Sequence, residues 1–514
     1  FVKNIVKKAV ILTTLMFVLT SCITLGDFLT SSGTSDVAPT SVNMPDTEIA
    51  TSYVHEETDA SNFYERSVNP YKNTALSDTW NVKVLESTGA QNLLVIPVSF
   101  TDSAPEYLNN EAAVKASLNR AFFGQSSDTG WESVASYYAK ASYGAFSLSG
   151  EVSNIFHSSY SMAELDAKPI NDNDYWDQTH YILEDIYNSS SASKLQQFDQ
   201  NNDGYVDAVF LVYLAPFGGS DLFWAYQYFW NRFPNAAKPT FSVYAWASFN
   251  FMVEDSNYTT SLPAAHTFIH EFGHIMGLDD YYDYDNKSSP IGGKDMMDFN
   301  IGDHNMHSKY VLNWGLPFVP VGDATINIRP AESSGDFILI NNDWNGHAYD
   351  EYILIEYYTP TGLNKKDAEG SGYGSGLNRA KNFTENGVRI FHVDARLIYS
   401  TTFRTYWTDE IRSNQPGRDT TDYAMSNTGS DSLDARHKRI HLLDASKGSR
   451  TWYHSATRQS DNSALFKSGQ KINLNGWGDY LFTGNGFNDR TTIGYSVEIG
   501  TMNEYGVEII LRTT

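Results

Sequence analysis

The stretch HTFIHEFGHIMGLDDYYD, residues 266 to 283, constrains this chain more than any other. It sets three histidines, one glutamate and three aspartates around an apolar stripe, so the segment must bury carbon while keeping charged groups satisfied. His270 and His274 are four residues apart, which on a helix places their Cβ atoms roughly 5–6 Å apart on one face, within reach of one metal ion. Gly277, three residues after His274, can adopt the left-handed conformation that ends a helix sharply and turns the following residues back towards that ion. A third ligand is then expected from Asp279, Asp280 or Asp283, among which chain geometry does not choose.

Glu271 lies beside a ligand rather than on the ligand face, the position of a general base acting on a zinc-activated water. Zinc brings the pKa of its water to about 7, so an adjacent carboxylate suffices to produce hydroxide and later protonate a leaving amine. The implied reaction is amide hydrolysis. A structural zinc site would take four protein ligands, usually with cysteines among them, yet the chain's one cysteine is Cys22.

Composition narrows the setting. With 36 basic against 61 acidic side chains the formal net charge is −25, so nucleic acid is excluded as an expected partner. A single cysteine permits no intramolecular disulfide, and stability must come from the core and any bound metals. At 514 residues there is chain enough for two or three domains.

The N-terminal FVKNIVKKAVILTTLMFVLTSC has Lys3, Lys7 and Lys8 ahead of an apolar run from Ala9 to Leu19, the outline of a secretory signal peptide over 1–22. Leu19-Thr20-Ser21-Cys22 resembles the lipobox of bacterial lipoproteins, which implies lipid attachment at Cys22 and a membrane held through an N-terminal lipid anchor. Residues 23–89 are rich in Ser, Thr, Asp and Glu and read as a tether or propeptide-like segment.

Folded structure is expected from about residue 90. Buried strands are read at QNLLVIPVSFTD (91–102) and AVFLVYLAP (208–216), with helices at NEAAVKASLNRAFF, WESVASYYAKASYG and WDQTHYILEDIYN. Alternating strands and helices predict a catalytic domain over 90–320. After Trp314-Gly315-Leu316-Pro317 come short runs such as DATINIRP, DFILINND, EYILIEYY, GVRIFHVD and YGVEIILR, separated by turn residues. These predict a β-rich, sandwich-like region over 321–514, so the fold class is α+β.

The pattern HExxHxxGxxD, followed by Tyr282-Asp283, resembles secreted bacterial zinc metalloproteases of the immune inhibitor A family. The segments YYAKASYGAFSLSGEV (137–152), HSKYVLNWGLP (307–317) and GVRIFHVDARL (387–397) are similar to family segments, and KDMMDFNIG resembles the family's methionine turn. The resemblance implies a metzincin-like catalytic domain, a zinc held by His270, His274 and Asp280, Met297 beneath it, and protein or peptide substrates. The chain departs from the family in carrying Asp279 where proline is common, and in doubling Met296-Met297.

QFDQNNDGYVDAVFLVY places Asp199, Asn201, Asp203, the Tyr205 carbonyl and Asp207 at alternate positions, with Gly204 for a sharp turn. That spacing of hard oxygen donors suits a structural calcium, although Phe210 stands where a complete EF-hand has glutamate. The competing reading is an Asx-rich turn; the family commonly carries a similar loop.

Among the other polar residues, His266 is expected to be a satisfied helix histidine, and His304 and His307 are weighed as groups reaching the cleft. His392 is expected in the core with Asp394 as its partner, and Tyr282 is read equally as packing or as orienting the site. Taken together the sequence reads as an exported zinc endopeptidase with Glu271 as base. The alternatives are a non-catalytic surface-binding lipoprotein on a protease-like scaffold and a zinc hydrolase of non-peptide substrate.

Overall fold

The structure is a computed structural model that describes residues 64–65, 84–170, 177–217, 220–230, 232–254, 262–284, 289–298, 301–344, 346–370, 381–396, 398–400, 405–407, 427, 438–446, 460–477, 486–487 and 491–514. The signal peptide, Cys22 and most of the 23–89 segment lie outside the described residues. Helices and sheets are mixed in nearly equal measure, as α+β requires.

After a two-residue strand β1 (Tyr64–Glu65), the first layered unit begins at β2 (Gly89–Ser99), followed by helices α1 (Glu111–Phe123) and α2 (Val134–Ala141). Next come β3 (Phe146–Val152), β4 (Phe156–His157), α3 (Thr179–Ser189), β5 (Val209–Tyr213), β6 (Ala225–Phe229) and β7 (Val243–Ser248). The strand order is β3-β2-β5-β7-β6, with β4 continuing beside β2; all pair in parallel except β6, the antiparallel edge.

The run VFLVY of β5 shows no polar alternation because both faces are covered. On one face Phe210 and Val212 join Phe122, Tyr138 and the later helix α4 (His266–Ile275); on the other Leu211 and Tyr213 meet Ile182, Leu183 and Ile186 of α3.

A short helix α5 (Met306–Val311) then leads to the β-rich part. Its strands, in chain order, begin with β8 (Leu316–Pro320), β9 (Ala324–Ile328), β10 (Asp336–Ile340), β11 (Glu351–Tyr358) and β12 (Gly387–Asp394). A small hairpin of β13 (Ile398–Ser400) and β14 (Thr405–Trp407) is followed by β15 (Ile440–Leu442), β16 (Lys471–Asn473), β17 (Tyr495–Asn503) and β18 (Gly506–Thr513).

Two sheets result, ordered β1-β8-β10-β11-β12-β15 and β16-β17-β18-β9. They face each other across an aliphatic core of Ile338, Ile353, Ile355, Ile390, Val497, Ile499 and Ile509, which makes the C-terminal part a sandwich. The outer face of the first of these sheets is also buried: Phe337, Leu339, Leu354 and Phe391 belong to the core that holds α2, α4 and α5. This is why β11 and β12 are buried at every position while β17 and β18 alternate.

The boundary between regions differs from the expected one. β8 ends at Pro320, inside the segment assigned to the catalytic domain, yet it pairs in parallel with β10 of the sandwich. At the other end, residues 84–88 belong to the fold and not to a tether. The Leu85 amide donates to the Ile275 carbonyl at 3.0 Å, Ser87 Oγ to the Leu312 carbonyl at 2.9 Å, and Trp314 Nε1 to the Ser87 carbonyl at 2.6 Å.

Buried charge also joins the regions. Lys309 Nζ, fully buried, donates to Asp303 Oδ2 at 2.6 Å, to Tyr143 Oη at 2.9 Å and to the Ala331 carbonyl at 3.2 Å, while Arg389, paired with Glu356 on the neighbouring strand, donates from Nη1 to the Lys294 carbonyl at 3.1 Å. Removing one partner of such a pair leaves an uncompensated charge and costs about 3–5 kcal/mol.

Candidate metal centre

Helix α4 is positioned by its apolar stripe: Phe268 stacks on Phe122 at 5.0 Å, and Phe272 lies 5.1 Å from Tyr138. Burying these side chains contributes roughly 1.5–3 kcal/mol each and fixes the rotation of the helix. His270 and His274 then stand together on the less buried face, ring centroids 5.0 Å apart. A Cβ at Gly273 would come within 2.7 Å of Met297 Sδ and 3.0 Å of Tyr138 Oη, so any larger residue there would push the methionine aside.

The helix ends as its glycine predicts. Gly277 has φ +90°, its amide donates to the His274 carbonyl at 2.9 Å, and the Leu278 amide donates to the Gly273 carbonyl at 3.1 Å. The turn also presents the Leu278 carbonyl to His274 Nδ1 at 2.8 Å. His270 is oriented in the same manner from another segment, its Nδ1 donating to the Met296 carbonyl at 2.8 Å.

A carbonyl can only accept, so both rings carry their proton on Nδ1 and turn Nε2 inward. Both Nε2 atoms meet Asp280 Oδ1, at 3.0 Å from His270 and 3.4 Å from His274. Of the three aspartates left open by the sequence, Asp280 is therefore the one that faces the histidines. Asp279 Oδ2 turns to Arg439 Nη1 at 2.8 Å, and Asp283 Oδ2 to Lys438 Nζ at 3.8 Å.

With Nδ1 already protonated, two inward Nε2 atoms beside a carboxylate require positive charge at that point, from added protons or from a cation. Burial works against charge on all three groups, but mutual attraction outweighs it. Both imidazoles are held above their usual range, His274 up to about 10, and Asp280 well below the ordinary carboxylate range. A zinc ion would supply the same charge.

The donor set fits zinc. Tetrahedral zinc with ligand bonds of roughly 2.0–2.1 Å sets its donor atoms about 3.3 Å apart, close to the two separations observed. Among the described residues this is the one group of three or more His, Cys, Asp or Glu side chains whose ligand atoms lie within 4.8 Å of one another.

Glu271 is buried next to the trio without joining it, and that burial raises its carboxyl above the ordinary range against the pull of His270 and His274. The turn that supplies Met296 and Met297 is tied by Asp295, whose Oδ1 accepts from the Met297 amide at 2.7 Å. Asp295 Oδ2 accepts from the Asn305 amide at 2.6 Å. The doubled methionine thus has two uses: the Met296 carbonyl orients His270, and the Met297 sulfur packs on the helix.

Tyr284 was not anticipated. Its hydroxyl donates to Asp280 Oδ2 at 2.6 Å, holding the carboxylate so that Oδ1 faces the histidines. No spacing rule marks it, since it lies beyond the turn. Tyr282 is closer to the packing reading, its ring 6.5 Å from His270 and 5.4 Å from Tyr284.

Other expectations are corrected. His304 and His307 do not reach the cleft: both are buried, His307 sharing a 2.7 Å hydrogen bond with Tyr352 Oη. His392 is a core strand histidine, but its partner is Glu351 on the neighbouring strand, Nε2 to Oε1 2.8 Å, because Asp394 engages Arg396.

The acidic loop precedes β5 as expected, with Gly204 at φ +88° and Asn202 at φ +57°. Its carboxylates turn onto its own backbone: Asp199 Oδ1 and Oδ2 accept from the amides of Asp203 and Gly204 at 3.0 and 3.1 Å. Asp203 Oδ1 accepts from Tyr205 at 3.0 Å, and Asp207 Oδ2 from Gln200 at 3.1 Å. Of these, the Asp203 bond to the amide two residues on is an Asx turn.

No protein family and no curated protein matches the chain.

Proposed function

We propose that the chain is a zinc-dependent endopeptidase of the immune inhibitor A-like kind, with a metzincin-like catalytic unit built on the parallel sheet. The observation that carries the reading is the meeting of His270 Nε2, His274 Nε2 and Asp280 Oδ1 at one point beside buried Glu271.

His270, His274 and Asp280 would hold the metal, and three protein donors leave a tetrahedral position open, as catalytic sites do. When bound, zinc supplies a Lewis acid that polarises a carbonyl and acidifies water. Glu271 takes a proton from water and returns it to the leaving amine; its raised proton affinity suits both halves of that task. The Met296 and Leu278 carbonyls keep both imidazoles in the tautomer the site needs.

A peptide substrate is favoured by β6, the antiparallel edge of the sheet on which α4 packs, since a strand edge offers backbone groups to an extended chain. A pure binding module has no use for a buried base beside the trio. Export through 1–22 and lipidation at Cys22 complete the proposal, as does a structural calcium on Asp199, Asn201, Asp203, the Tyr205 carbonyl and Asp207.

The test is cleavage of an unfolded protein by the wild type and by Glu271→Ala at matched zinc content. The expected result is loss of roughly 10²–10⁴-fold in the variant with zinc retained. Equal rates in the two proteins, or loss of zinc from the variant, would remove Glu271 from the role of base.

A further inference from the structure

We propose that Lys438 and Arg439, from the sandwich, are positioning residues for the third metal ligand; the inference rests on the zinc reading of Asp280.

The loop carrying Asp280 leaves α4 at Gly277 and is then held from outside the helix. Arg439 Nη1 meets Asp279 Oδ2 at 2.8 Å, one residue before the ligand. Lys438 Nζ meets Asp283 Oδ2 at 3.8 Å, three residues after it. Between them Asn427 Nδ2 donates to the Tyr281 carbonyl at 3.0 Å, and Lys438 Nζ donates to the Asn427 carbonyl at 3.1 Å. Lys438, Arg439, Asp283 and Asn427 are all buried.

The anchor of this clamp is rigid. The Arg439 carbonyl accepts from the Asp394 amide at 2.7 Å, and the next residue, Ile440, begins β15 opposite Val393 of β12. Just ahead of β15, the consecutive Lys438 and Arg439 reach the two flanks of one loop.

The function of the clamp is positional. Each flank of the loop that carries Asp280 is held by a cation from the sandwich, and ligand geometry has to be held within about 0.5 Å.

The experiment measures zinc dissociation constants by chelator competition for wild type, Arg439→Gln, Asp279→Asn and the swap Asp279→Lys/Arg439→Glu. Cobalt(II) absorption of the refilled site and hydrogen exchange of residues 278–284 in zinc-free protein accompany each. We expect zinc affinity to fall about 10–100-fold in both single variants, with an altered cobalt spectrum, faster exchange of the loop and recovery in the swap.

A merely structural pair would lower the melting temperature while leaving affinity and the cobalt spectrum unchanged, and that result would overturn the proposal. Asp279→Asn removes charge at a partly exposed side chain, so it reports even where Arg439→Gln does not fold. A wild type that binds no zinc would sink the functional reading and this inference with it. Zinc binding of equal strength in wild type and both single variants would sink the inference alone.

Discussion

Helix α4 and the acidic loop both carry short polar motifs, and the fold treats them oppositely. In the loop every carboxylate that the calcium reading needs already accepts backbone N–H groups. At the helix, backbone carbonyls occupy the Nδ1 atoms and force two Nε2 atoms against Asp280, an arrangement balanced only by added positive charge. The difference teaches that equally spaced donors can meet different surroundings: backbone amides face them in the loop, and at the helix they face one another.

Acid gives the largest effect. His307 of α5, hydrogen-bonded to Tyr352 away from the cleft, is pushed by burial, and then by Arg439, down to about 3 from 6.5. The unfolded chain protonates this ring as pH falls below 6.5, whereas the folded one resists until about 3. Its contribution is therefore complete above pH 6.5 and lost as pH drops towards 3, by on the order of 5 kcal/mol. Melting temperatures of wild type and His307→Gln between pH 7 and 4 check this; parallel curves would dismiss it.

Zinc removal comes next. A chelator should lower stability by about 4 kcal/mol relative to free zinc at 1,000 times its dissociation constant. Asp280→Ala should abolish most of that difference and Asp203→Ala none of it. Zinc retention by Asp280→Ala equal to wild type would move the third ligand elsewhere.

The smallest effect concerns the loop. If calcium displaces the backbone bonds there, wild type should gain about 1.4 kcal/mol at ten times the dissociation constant, and Asp203→Ala should lose that gain while keeping zinc. Wild-type melting that is indifferent to calcium would leave the loop as an Asx turn and widen the contrast with α4.

Much of the chain was legible in advance because its elements are locally consistent. Amphipathic spacing marked α1, α2 and α3, and the later runs from DATINIRP to YGVEIILR each became a strand. β7 was missed: its VYAWAS run is buried on both faces and carries no period. The regional boundary was misplaced because β8 continues directly from the α5 segment in sequence but pairs in parallel with β10, beyond a crossover through β9.

By itself the sequence determined what depends on near neighbours: two histidines one helical turn apart, a base between them, and a glycine that reverses the chain within three residues. Contacts between distant segments were decided only by the tertiary structure. It selected Asp280 from three aspartates by giving the other two cations from the sandwich. It also oriented His270 with a carbonyl 26 residues away and replaced Asp394 with Glu351 as the partner of His392. The physical reason is the same in each case: a buried polar group must take whichever partner the packing brings within about 3 Å, and sequence separation says little about which one that is.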